Sequence, residues 1–255
     1  FHVYGRYEHP LGFGRVTIAP GVAYREPFTR AEAGVQLEGE GVRFEGLEIA
    51  SAGGTVTGAA YVAFDGTYSF EASGRGIPVE TIAAVQRTEL PLSGLFRFSA
   101  FGKGRFASPR YDVRAAIDDF FIADEGIGQV TGRLGVRDNA LVIEQLDVAS
   151  PRLTASGAGR IALTDTAEAD LTLRFSDASL DPYARLYQPK LSPFTTAVAS
   201  GTARLRGPLY RPEEVTAEAN VERLNFQLFD YGLRNDGPVR LTMDGGRMRV
   251  ARMRL

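Results

Sequence analysis

The phrase "VRFEGLEIAS" at 42–51 returns without a gap as "LVIEQLDVAS" at 141–150. A chain that writes one strand-like phrase twice, about a hundred residues apart, is built of repeats, and that constrains the fold more than any composition figure. The ungapped match runs from Val42–Phe64 against Leu141–Leu163, with identities at Glu45/Glu144, Leu47/Leu146, Ala50/Ala149, Ser51/Ser150, Thr55/Thr154, Gly58/Gly157, Ala59/Ala158 and Ala63/Ala162. Further on, "YSFEAS" (68–73) answers "LTLRFS" (171–176), "GIPVETIAAV" (76–85) answers "SLDPYARLYQ" (179–188), and "LSGLFRFSAFG" (92–102) answers "ASGTARLRG" (199–207), with two extra residues in the first copy. A third copy opens at "GPVRLTMDGGRMRVARMRL". The expected organisation is one continuous array over 1–255, with units 35–133 and 134–240, a partial unit 241–255 and a partial preceding unit 1–34. Since the last phrase stops in mid-pattern, the array is expected to be a segment of a longer one.

Each copy suggests about eight short strands. In "FRFSAF", "VRLTM" and "LTLRF" apolar residues alternate with Arg, Ser and Thr, the period of a half-buried strand. The 29 glycines are scattered between such runs, as frequent turns require. Two segments depart from the pattern. Pro78–Arg87 starts with Pro and Glu80 and ends in Arg, and Asp181–Tyr187 opens with Asp181 as N-cap and Pro182 behind it; both predict short helices.

One irregularity recurs. Val42 and Phe44 share one parity, Leu47 and Ile49 the other; Leu141 and Ile143 are followed by Leu146 and Val148; Met248 and Val250 by Met253 and Leu255. A strand that changes parity must either turn its apolar residues to the other side or carry one extra residue. This predicts β-bulges at Glu45–Gly46, Glu144–Gln145 and Ala251–Arg252.

The net charge is −2 and Lys occurs only at 103 and 190, so there is no basic stripe for nucleic acid and no polybasic patch for an anionic membrane. The chain has no Cys, which excludes disulfides, thiol chemistry and thiolate-bound zinc. No apolar run approaches the ~20 residues that span a bilayer as a helix.

Alternation lines up one apolar stripe: Val35, Leu37, Val42, Phe44, Val62, Phe64, Phe96 and Phe98 in the first copy; Ile143, Ile161, Leu163, Leu171, Leu173, Ala203 and Leu205 in the second; Leu241, Met243, Met248 and Val250 in the third. In any all-β protein such residues can be plain core. In an array that simply continues they can also line a trough, if the sheet curls lengthwise.

The phrases "GQVTGRLGVRDNALVIEQLDVASPRLTASGAGRIAL" and "ASGTARLRGPLYRPEEVTAEANVERLNF", with turns "DNA" and "DGG" and the strand opening "GGTVTG", resemble the TamB/AsmA-like family of Gram-negative envelope proteins. The resemblance covers essentially the whole chain and lies in the order of phrases. It implies an all-β, elongated and curled repeat sheet, a β-taco or half-pipe with an apolar interior groove, to which the residues add the two short helices predicted above. Proteins of this kind are anchored in the inner membrane and cross the periplasm. The function implied is phospholipid transport toward the outer membrane, with phospholipid acyl chains as partners and an outer-membrane β-barrel partner reached through parts outside this segment. Neither an enzymatic activity nor a cofactor is implied.

Other motifs are weaker. His2 and His9 lack metal-ligand spacing. "DD" at 118–119 and "DE" at 124–125 flank an apolar "FFI" and suit a solvated turn better than paired catalytic carboxylates. "FGKGRF" (101–106) lacks the context of a phosphate loop. Arg247, Arg249, Arg252 and Arg254 interleave with apolar residues and are expected on the outer face. Three functional readings stand: a lipid-conducting groove, a scaffold that holds outer-membrane strands by β-augmentation, and a structural solenoid with a filled core.

Overall fold

The computed structural model describes residues 1–255 apart from Tyr24, Ala52, 89–90, 180–194, 229–230, 246 and 253–255. In chain order the elements are β1 (His2–Arg6), β2 (His9–Ile18), β3 (Gly21–Ala23), β4 (Glu26–Phe28), β5 (Arg30–Glu38), β6 (Gly41–Ser51), β7 (Gly54–Ala63) and β8 (Thr67–Pro78). A 3-10 turn (Val79–Thr81) and a one-turn helix α1 (Ala83–Gln86) precede β9 (Leu92–Arg105), β10 (Tyr111–Ile122) and β11 (Glu125–Arg137). Then come β12 (Ala140–Ser150), β13 (Leu153–Ala162), β14 (Glu168–Ser179), β15 (Thr195–Pro208), a second 3-10 turn (Pro212–Glu214), β16 (Thr216–Leu228), β17 (Tyr231–Arg234), β18 (Val239–Asp244) and β19 (Arg247–Arg252). All strands but β3 and β4 belong to one 17-stranded sheet, which does not close into a barrel; those two form a small separate ribbon.

The chain divides into two compact units: Phe1–Asp118 with Gly132–Asn139, and Asp119–Thr131 with Ala140–Leu255. In the first, β1, β2, β5, β6, β7, β8 and β9 pair in that order, each antiparallel to the next. In the second, β12 to β16 do the same, β16 then pairs with both β17 and β18, and β18 with β19. Six strands, β6 to β11, of 10 to 14 residues each, make up the first full copy, in place of about eight shorter ones.

The structure bears out the three expected bulges. Phe44 faces Ala60 and Leu47 faces Gly58, so β6 spends three residues where β7 spends two. Ile143 faces Gly159 and Leu146 faces Gly157 in the same way. Arg252 and Val250 face Arg240 and Leu241, leaving Ala251 as the extra residue. Gly46 takes the left-handed conformation, φ 57°, that such a kink needs. The bulge absorbs the parity change, so Leu47 and Ile49 project to the same side as Val42 and Phe44.

Other bulges among the described residues carry no parity signal. They lie between Gly74 and Ile77 on β8, between Phe175 and Ala178 on β14, and at Glu222 on β16. The first two correspond: Gly76 and Asp177 are both left-handed, at φ 66° and 47°. This register corrects the sequence alignment by two residues. Thr55 faces Arg75 and Thr154 faces Ser176, so Phe70 answers Leu171, not Leu173. The copies stay in step along β9 as well, with Gly104 answering Gly207 through Tyr68 and Ala169.

The segment read as one helix over Pro78–Arg87 is broken. Ile82 is extended, with φ −73° and ψ 123°, between the 3-10 turn and α1. The second predicted helix, Asp181–Tyr187, lies outside the described residues.

Hairpins are closed by the residues that their turns require. Asp138 and Asn139, both left-handed, form the two-residue connection of β11 to β12. At the β7–β8 turn the Asp65 carboxylate accepts from the Thr67 amide (2.9 Å) and hydroxyl (2.7 Å). Where β17 gives way to β18, Asn235 stands in for a strand residue: its side chain accepts from Leu224 N–H (2.7 Å) and donates to Glu222 and Gly237 carbonyls.

Candidate functional site: an apolar sheet face

Residues that stand directly opposite one another in an antiparallel ladder project to the same side. In the first unit one such row runs Gly14, Val35, Phe44, Ala60, Phe70, Gly102, from β2 to β9. A parallel row runs Gly12, Leu37, Val42, Val62, Tyr68, Gly104. Beyond the β6 bulge the face continues through Leu47, Gly58, Ala72 and Ala100, then Ile49, Val56, Gly74 and Phe98, and past the β8 bulge Ile77 pairs with Phe96.

The second unit repeats this. Ile143, Gly159, Leu171, Leu205, Ala217 and Met243 form one row, and Leu146, Gly157, Leu173, Ala203, Ala219, Leu241 and Val250 another. Ile161 pairs with Leu141 and Ala169 on the same side. Met248 holds the register position opposite Met243, its side chain outside the described set. Thus, within each unit, the candidate residues in strands that have described side chains share one face. Phe64 and Leu163 fall one residue past the ends of β7 and β13 and are 59% and 48% exposed.

Large and small residues alternate along these rows. A Cβ at Gly74 would meet the Phe98 ring at 2.2 Å, and one at Gly102 the Phe70 and Tyr111 rings at 2.5 and 2.7 Å. These rings therefore occupy the space that a side chain at the neighbouring glycine would need. At one end of the first unit Tyr68, Phe70, Phe106 and Tyr111 form a ring cluster with centroids 5.0 to 6.2 Å apart. Tyr68, buried there, accepts from Arg110 N–H (2.9 Å) through its hydroxyl oxygen and donates to the Arg110 carbonyl (3.3 Å).

The face is incompletely covered. Val42, Phe44, Leu47, Ile49, Phe96, Phe98, Leu171, Leu173, Leu205 and Leu241 are all half-buried. Among the described residues, half of the fully buried apolar positions are alanine, and the tightest cluster is small: Ala199, Val221 and Val239, with Phe175, Leu224 and Leu241 against it. The chain exposes 16284 Å². A compact body of 27.6 kDa exposes about 11,000 Å², and two independent compact halves about 13,000 Å².

The opposite face is polar. Its rows include Arg43, Tyr61, Ser69 and Lys103 in the first unit and Ser156, Arg174, Thr202, Asn220 and Arg240 in the second. Arg43 grips Glu38 with two hydrogen bonds (2.6 and 2.9 Å), and Arg204 grips Asp170 likewise (2.8 and 2.6 Å). These hydrogen bonds hold the Glu38 and Asp170 carboxyls below their ordinary pKa and the two guanidinium groups above theirs. Arg249 stands opposite Thr242 on this side, and Arg247 opposite Asp244.

The minor motifs resolve into structure. Asp118 pairs with Arg97 (2.8 Å), and Asp119 is a left-handed residue within β10. "FGKGRF" begins in β9, His2 lies against Phe13 at 5.8 Å, and no group of metal-ligating side chains occurs among the described residues. No helix among them is long and apolar enough to cross a membrane. Compared with known proteins, the chain matches no family model, no curated protein and no solved structure.

Proposed function

We propose that the apolar face is a lipid-facing surface, and that the chain is a segment of a periplasm-spanning protein of the TamB/AsmA-like kind. In this reading the sheet curls about its strands and turns the apolar face into a groove along which phospholipids pass toward the outer membrane. The observation that carries it is the continuity of the apolar rows across successive strands of each unit, with side chains left half-buried. Two features suit curling. Bulges add twist and bend, and the large–small alternation lets side chains from neighbouring strands interdigitate.

The energetics need no specific chemistry. An acyl chain gains about 0.8 kcal/mol for each CH2 taken out of water, so a row of Phe, Leu, Ile and Val holds it without polar contacts. Head groups stay in water at the open rim. The reading calls for no catalytic residue.

Photo-crosslinking in a living Gram-negative host tests it. A photoreactive residue replaces Phe44, Phe98, Ile143 or Leu173 in the full-length protein. Arg43 and Arg174 serve as controls, since the ladder sets both on the polar face. The expected result is phospholipid adducts from the first set and none from the controls. Adducts to outer-membrane polypeptides alone would point to a strand-holding scaffold. An absence of adducts from folded protein would leave a structural solenoid.

A further inference from the structure

We propose that Glu26 closes a strap across one rim of the first unit. Two connections overhang the sheet at the same strand ends. The one from β2 to β5 carries the β3–β4 ribbon, and the one from β8 to β9 carries the 3-10 turn and α1. In the sheet β5 and β8 are separated by β6 and β7. At about 4.8 Å per strand the two connections therefore leave the sheet about 14 Å apart.

They meet nonetheless. Both oxygens of the Glu26 carboxylate accept from the Ala83 amide, at 3.0 and 3.1 Å, across 57 residues of chain. Ile82, which precedes α1, offers no side-chain cap, so the first amide of that turn is capped from the other connection. Each arm has its own anchor. Ser51 Oγ donates to the Pro27 carbonyl (2.6 Å), and the Thr29 amide and hydroxyl donate to the Ala50 carbonyl, which ties the ribbon arm to the end of β6. Val79, 2% exposed, seats the other arm beside β9. Glu26 thus bridges the two connections over the ends of β6 and β7.

The rim it spans is where the apolar face ends in Ile49, Val56, Ile77 and Phe96. With the strap closed, that rim of the face is bridged; with it open, the two connections can part while the strands beneath keep their pairing. Control of acyl-chain entry by the strap rests on the lipid reading. The strap itself does not.

The chain has no cysteine, so spin labels can be placed uniquely at Val22→Cys and Ala84→Cys, both exposed. Pulsed dipolar spectroscopy should give one narrow distance distribution. Glu26→Ala should broaden it toward longer distances, and Glu26→Gln, whose amide oxygen still accepts, should largely preserve it. In parallel, the Ala83 amide should exchange with solvent about tenfold faster or more in Glu26→Ala, the factor expected for a charge-assisted hydrogen bond. An unchanged distribution in a folded Glu26→Ala protein overturns the strap. Should that variant not fold, exchange in the unaltered chain decides: a slow Ala83 amide supports the strap, and exchange at the free-peptide rate overturns it. Because none of these readouts involves lipid, a failure of the lipid reading leaves them standing.

Discussion

At the scale of single residues, the fold relies on side chains that finish what the backbone starts. Asp65 is the clearest. Its carboxyl is held below its ordinary pKa, first by the Thr67 amide and then by the Thr67 hydroxyl. A depressed carboxylate contributes stability that is present above its unfolded pKa and lost as pH falls through its folded one. The β7–β8 turn should therefore loosen below the ordinary carboxylate range. Measured by denaturant unfolding, Asp65→Asn should flatten the acid limb of the stability–pH curve; an acid limb identical in both proteins would refute this. Gly46 makes a different demand. Nothing lies within 4 Å of where its Cβ would be, so the cost of a side chain there is conformational alone. Gly46→Val should destabilise by about 1–2 kcal/mol and Gly46→Asn by less, since Asn tolerates the left-handed region. Equal midpoints for Val and Asn in a denaturant series would sink that account.

At the scale of elements, the bulges of β6, β12 and β19 were legible in the sequence because large apolar residues stand on both sides of the parity change, as with Phe44 and Leu47. The bulge of β8 was not, because it lies between Gly74 and Ile77, where one side has no side chain. That of β14 ends at Ala178, too small to mark a face. The alignment error of two residues has a related cause. A strand slipped by two keeps every residue on its proper side, so alternation cannot detect the slip and only ladder partners can. The broken helix was illegible because Ile82 carries no signal for extended backbone, and the Glu26 acceptor that caps Ala83 comes from a distant segment. The shared apolar face was readable strand by strand, since most of its members sit at alternate positions of clear strands. The polar side was readable as polar, but its pairings, such as Arg204 with Asp170, depend on register.

At the scale of the whole chain, the surface left in water is the leading fact. Half-buried rows of Phe, Leu and Ile in a folded protein should bind an apolar dye in the native state, before any unfolding. The expectation is strong fluorescence enhancement of anilinonaphthalene sulfonate with full near-ultraviolet dichroism, which separates it from a molten state. Dye binding that appears only as structure is lost would mean that the rows are closed against one another. Phe64→Ser and Leu163→Ser, at exposed strand ends, should change the signal little, and Phe44→Ser and Leu173→Ser should lower it.

The recurring bulge has one more consequence. The bulges of β6 and β12 correct parity within a single strand, so each of these strands begins and ends with its apolar residues on the same side. The bulge is therefore a built-in insertion whose effect ends where the strand ends. A further single-residue insertion in β6 or β12, without a bulge to absorb it, would turn the rest of that strand inside out.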